Sequence, residues 1–118
     1  MVMLGGALGA ILRYAIHQNM PSHINFLKSP GILIANALGC LMLGIFQNSS
    51  YAETPFKYFI SIGFLGAFTT FSTFVGDIFL TQQKNGIFLA LIFISLHLII
   101  GALMYSIGLY IGKTVSYG

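Results

Sequence analysis

Charge is what this sequence lacks most. Asp, Glu, Lys and Arg together make up 6% of its 118 residues, against about 25% in a soluble domain. Two acidic side chains, Glu53 and Asp77, stand against five basic ones, Arg13, Lys28, Lys57, Lys84 and Lys113. So few charges cannot cover the surface of a folded chain of this size, and lipid is left to do it. A hydrophobic content of 57% excludes intrinsic disorder, which needs low hydrophobicity and high charge. The cations are dispersed, so there is no basic patch for nucleic acid. The single cysteine, Cys40, excludes an internal disulfide and a multi-cysteine metal centre. Inside an apolar run it reads as a small packing residue. The chain has no Gly-rich phosphate loop, no His/Glu metal spacing and no nucleophile beside a base. It is therefore not expected to be an enzyme.

What is present is apolar sequence in four blocks. A helix crosses a bilayer with about 20 apolar residues, in a range of about 17 to 25. The blocks predict helices over residues 2–17, 31–46, 56–80 and 86–112, in a single transmembrane domain covering 1–118. The connections fall at 18–30, 47–55 and 81–85, each short, polar and marked by Pro, Asn or Lys. The first block has no positive flank at its start and contains Arg13, so it reads as a structural helix rather than a signal peptide. Orientation is set by Lys and Arg in the short flanks. Lys28 and Lys84 fall on one side and Lys57 and Lys113 on the other, so the bias cancels. Such a chain can insert both ways up, and two copies can then pair head to tail about an axis in the membrane plane. Gly5, Gly6, Gly9 and Ala10, then Gly39 and Gly44, then Gly101 and Gly108 mark faces where helices approach closely.

The third block holds the residues richest in chemistry, from Gly63 to Phe74. Thr69, Thr70, Ser72 and Thr73 crowd the middle of a membrane crossing, just after Gly66. Each hydroxyl can bond back to a carbonyl one turn earlier in an unbroken helix. Their density favours a break, which frees backbone groups tolerated only where they are buried or line a cavity. Freed carbonyls are good ligands for a hard cation such as Na⁺. Phe71 and Phe74, three apart, share a helical face. They either pack against lipid or core, or turn their positive ring edges to a small anion. Ring edges would hold an anion loosely enough for release, as conduction requires. Asn36, mid-block, makes either an interhelical hydrogen bond or an N–H contact to an anion. Arg13 either snorkels to an interface or anchors an anion-gathering vestibule. His97, alone in the fourth block, reads as a satisfied histidine before a proton-linked one. Asp77 lies near the end of the third block with an open role, and His17 and His23 at the membrane edge receive none. No carboxylate lies mid-block in the first, second or fourth segment, which weighs against a proton-coupled transporter. A passive pore remains.

Three motifs then point to one family. Gly5-Gly6-Ala-Leu-Gly9-Ala-Ile-Leu-Arg13-Tyr14, Asn36 followed by Gly39, and Gly66-Ala-Phe-Thr69-Thr70-Phe71-Ser72-Thr73-Phe74 resemble, in order, the helix signatures of the Fluc (CrcB) fluoride channels. The third signature is the most specific, and the resemblance spans nearly the whole chain. It implies an all-α, multi-pass protein of the bacterial inner membrane, with four transmembrane helices and a broken third helix. It implies an antiparallel, dual-topology dimer with two pores that passively exports fluoride. It implies a structural Na⁺, not transported, on the backbone carbonyls of Gly66 and Thr69. Asn36, Phe71, Phe74 and Thr73 would line the fluoride pore, and Arg13 would sit at its vestibule. Asp77 stands where relatives often carry Glu.

Some positions depart from the family's pattern. Ile32 stands one turn before Asn36, where relatives often have Thr. Phe93, His97 and Gly101 stand where the fourth helix often has Tyr, Ser and Gly. These changes remove hydroxyls from a polar track and raise a second arrangement, one half of a heterodimer with a homologous partner chain. A small dual-topology multidrug exchanger is the alternative from another class. It needs an acid in the first helix and favours tryptophan, and this chain has neither. A third reading, a non-conducting assembly subunit, predicts no ion flux at all.

Overall fold

The computed structural model describes residues 1–20, 30–47 and 54–117, and the described part is entirely helical apart from short joints. The expected connections at 21–29 and 48–53, with His23, Lys28 and Glu53, lie outside the described residues. Helix α1 is Val2–Asn19 and α2 is Pro30–Gln47, each 18 residues long. Helix α3 covers residues 55–68. It opens as Pro55–Lys57, widens into a π-helical stretch over Tyr58–Leu65 and tightens again over Gly66–Phe68. Pro55 occupies its first turn, where a missing N–H costs nothing. Helix α4 is Phe71–Asn85 and α5 is Ile87–Tyr117.

Residues 81–85 are helical, where the polar run Thr-Gln-Gln-Lys-Asn had suggested a loop. Gln and Lys are good helix formers, and Thr81 is buried. The chain turns at Gly86 alone, at φ +88°. That left-handed backbone favours glycine, and the Gly86 N–H closes α4 on the Gln82 carbonyl. One residue thus joins two antiparallel helices.

Three stretches are long and apolar enough to cross a membrane: Pro30–Gln47, Pro55–Asn85 and Ile87–Val115. The polar end of α1, with Arg13, His17, Gln18 and Asn19, keeps it out of that group. At 31 residues α5 extends about 46 Å, which sets the 47 Å long axis of the molecule.

Burial follows membrane logic. Large apolar side chains point outward along every helix, among them Met3, Leu98 and Tyr110. Lipid tails are as apolar as these side chains, so helices associate by close packing rather than by escape from water. The glycines do that packing. A Cβ on Gly44 would strike the Tyr105 carbonyl, and one on Gly108 the Leu41 carbonyl, so α2 and α5 touch backbone to backbone. Gly5 and Gly9 lie as closely against the Phe59 and Phe64 carbonyls, seating α1 on the wide turns of α3. Gly6 and Gly101 are looser, with their nearest neighbours at 3.8 and 3.6 Å. Gly63 and Gly112, which carried no expectation, are also close, against the Val2 and Ile45 carbonyls.

Candidate functional site

The helix ends at Phe68 and resumes at Phe71, and everything of chemical interest gathers around the two residues between. Thr69 (φ −83°, ψ 153°) and Thr70 (φ −148°, ψ 117°) are extended. An extended pair in the middle of an apolar stretch leaves backbone groups that must find partners. The Thr69 N–H and hydroxyl both donate to the Leu65 carbonyl, at 3.0 and 2.9 Å. The Thr70 N–H donates to Asn36 Oδ1 at 2.9 Å, and Asn36 Nδ2 donates to the Thr70 carbonyl at 3.3 Å. One amide side chain on α2 therefore stands in for a whole strand partner.

Asn36 thus makes the interhelical bond foreseen as one of its two readings. Its amide has two N–H groups, and Thr70 takes one. The Thr70 hydroxyl caps α4, accepting the Thr73 N–H at 3.4 Å and lying 3.1 Å from the Thr73 hydroxyl. The Gly66 and Thr69 carbonyls belong to the interrupted turn. Among the described residues, none of the hydrogen bonds across the break uses them.

Thr70 lines two cavities. The smaller, about 190 Å³, is lined by Arg13 and His17 of α1, Gly31 and Ile32 of α2, and Thr70 and Thr73. Arg13 is half-buried and has no carboxylate partner among the described residues. His17, one turn further along α1, is held where Gly31 begins α2; a Cβ on Gly31 would lie 3.1 Å from the His17 Cα. Nothing in the residue pattern singles out His17. The N-terminal end of α4 also opens here, and its free N–H groups favour negative charge.

The larger cavity, about 450 Å³, is lined by Asn36, Thr70, Phe71, Phe74, His97 and Gly66, among others. Phe71 and Phe74 are in contact, with ring centroids 6.1 Å apart and planes at 54°. Their surroundings differ sharply. Phe71 is 77% exposed in the single chain, whereas Phe74 is buried, with Phe93 at 5.9 Å and His97 at 4.6 Å. Phe74, Ile32 and Phe93 form one buried apolar cluster. Ile32, Phe93 and His97 therefore pack around the same ring and clamp Phe74. Asp77, one turn past Phe74, is buried, and its Oδ2 has no hydrogen-bond partner.

Such an arrangement suits a small anion. It places a guanidinium and the Thr70 and Thr73 hydroxyls around the smaller cavity, and an amide and phenyl rings around the larger one. The described residues contain no group of three or more His, Cys, Asp or Glu side chains that could hold a metal ion. Carbonyl oxygens at the break are the hard donors a monovalent cation would use.

Residues 1–109 match the family model described as CrcB-like protein, Camphor Resistance (CrcB). Similar proteins include the fluoride-specific ion channel FluC of Dehalococcoides mccartyi, 35% identical over 92% of this chain and 87% of that one. That of Pseudoalteromonas translucida is 44% identical over 77% and 80%. That of Flavobacterium psychrophilum is 32% identical over 95% and 94%.

Proposed function

Because this chain belongs to the CrcB-like family, we propose that it is a multi-pass membrane channel that conducts fluoride passively down its gradient. It is not an enzyme, and its substrate is the fluoride ion itself. The observation that carries the reading is that Thr70 lines two cavities, one with Arg13 and the other with Asn36, Phe71 and Phe74. Fluoride gathers at Arg13 and passes Thr73 and the start of α4. It then moves along Asn36 and the ring edges of Phe71 and Phe74. No Lys or Arg lines the second cavity, which keeps binding weak enough for exit.

The finer architecture belongs to the same proposal. Helix α1 is a fourth crossing, and the third crossing is α3 and α4 in series, broken at Thr69 and Thr70. Two copies pair antiparallel, which the balanced lysines permit and the exposed Phe71 supports. A structural Na⁺ bound by the Gly66 and Thr69 carbonyls would neutralise the oxygen dipoles that the break leaves facing inward. Export of fluoride that has entered as HF is the role this activity serves. A second reading, half of a heterodimeric channel, is supported by Ile32, Phe93 and His97, which make this lining unlike the family's usual polar track.

The test is fluoride loss from liposomes holding the purified chain alone, followed with a fluoride electrode, with chloride as control. Rapid fluoride loss without chloride loss is expected, and Phe71→Ala is expected to slow it severely. A well-folded chain that releases no fluoride overturns the self-sufficient channel.

A further inference from the structure

His97 holds an unsatisfied atom beside the proposed path, and the inference drawn from it rests on the channel reading above. The residue is 9% exposed and packs against two phenyl rings, Phe93 at 4.3 Å and Phe74 at 4.6 Å. Its Nδ1 lies 3.0 Å from the Phe93 carbonyl oxygen. A carbonyl only accepts, so Nδ1 carries the hydrogen. In the neutral ring that leaves Nε2 as a bare lone pair. Nε2 is buried and has no hydrogen-bond partner, and the residue lines the larger cavity with Asn36, Phe71 and Phe74.

A lone pair beside a fluoride path repels fluoride. Protonation reverses this without moving the ring. The Nδ1–H keeps its bond to Phe93, and Nε2 gains an N–H and a share of the positive charge. Charge-assisted donors of this kind are about twice as strong as neutral ones.

We propose that His97 is a proton-dependent fluoride ligand: its Nε2–H, once formed, donates to fluoride in the larger cavity, and the site takes up a proton and a fluoride together. The proton comes from water and returns to it as fluoride leaves, so no other bond is made or broken. The charged group facing His97 from α4 is Asp77, which is buried, has an unpartnered Oδ2 and lies within electrostatic reach. From α2 the cavity receives the neutral Asn36 amide and the Cys40 thiol, while Arg13 opens on the other cavity. Position 97 thereby makes the affinity of this path depend on pH, which a serine there could not do.

The test is the initial rate of fluoride efflux over a range of fluoride concentrations, at about pH 5.5 and about pH 7.5, either side of the ordinary histidine value near 6.5. Wild type, His97→Ser, His97→Gln and Asp77→Asn are compared, with protein-free vesicles subtracted for diffusion of HF. Wild type is expected to half-saturate at several-fold lower fluoride at the acid pH. His97→Ser and His97→Gln are expected to lose that dependence, and Asp77→Asn to weaken it. The same pH dependence in wild type and both His97 variants overturns the proposal. So does a wild type that conducts fluoride with no pH dependence, even if no variant folds. A folded wild type with no flux at either pH removes the channel reading as well.

Discussion

At the scale of the residue, the account turns on Asn36. Its two bonds to the Thr70 backbone hold open a break that nothing else in the described structure would satisfy. Leaving a buried donor or acceptor without a partner costs about 1–3 kcal/mol. Asn36→Ala strands both an N–H and a C=O, so thermal unfolding in detergent should move down by several degrees and fluoride efflux should fall at least tenfold. Asn36→Asp keeps the acceptor for the Thr70 N–H but loses the donor and puts a carboxylate on the proposed path, so its flux should fall at least as far. An alanine variant with unchanged melting temperature and flux would show that Thr70 is held by other means. The clustering of Thr69, Thr70, Ser72 and Thr73 was readable as a sign of disturbed helix. Its partner was not, because Asn36 is 34 residues away and an amide in an apolar run suits several roles. His17 was missed for a related reason. A histidine at a polar helix end carries no pattern, and only the fold brings it, with Arg13, beside Gly31, Thr70 and Thr73.

At the scale of the element, glycine positions separate contact from tolerance. Gly108 lies against the Leu41 carbonyl, so Gly108→Ala must push α5 off α2, with an overpacking cost of about 1–3 kcal/mol. Gly76, in the middle of α4, has nothing within 4 Å of an added Cβ. There alanine should be neutral or stabilise the helix by up to about 1 kcal/mol. Melting temperatures of the two variants should therefore move in opposite directions or differ clearly in size. Equal losses would mean that α4 has a neighbour absent from the single chain. Apolar runs located the helices well because lipid-facing elements must be apolar throughout. Their ends were harder to read. Residues 81–85 are polar yet helical, since polarity marks the membrane edge rather than the end of the helix, and only Gly86 forces the turn. The π-helical stretch at Tyr58–Leu65 leaves no trace in composition, because its side chains are ordinary core and lipid residues.

At the scale of the whole molecule, the balanced lysines carry the argument for antiparallel pairing. Lys28→Gln with Lys84→Gln leaves both remaining flank lysines on one side, which should fix a single orientation. If the channel is an antiparallel homodimer, that variant alone should give little fluoride flux. Co-expression with the opposite variant, Lys57→Gln with Lys113→Gln, should restore it. Full flux from one biased variant alone would argue for a parallel or single-chain pore. Pairing could be approached from sequence only through charge balance, since a dimer interface in a membrane uses the same residues as a lipid-facing surface. The 77% exposure of Phe71 is the mark the fold adds, an aromatic ring of the proposed path left uncovered by its own chain.

The central claim is that fluoride moves passively and selectively through this protein. The most direct measurement is the reversal potential in a planar bilayer holding the purified chain, with fluoride on one side, chloride on the other and no pH gradient. A current that reverses far toward the fluoride equilibrium potential, and persists with no other driving force, is the predicted result. A reversal near zero, or a current that appears only with a proton gradient, would contradict it.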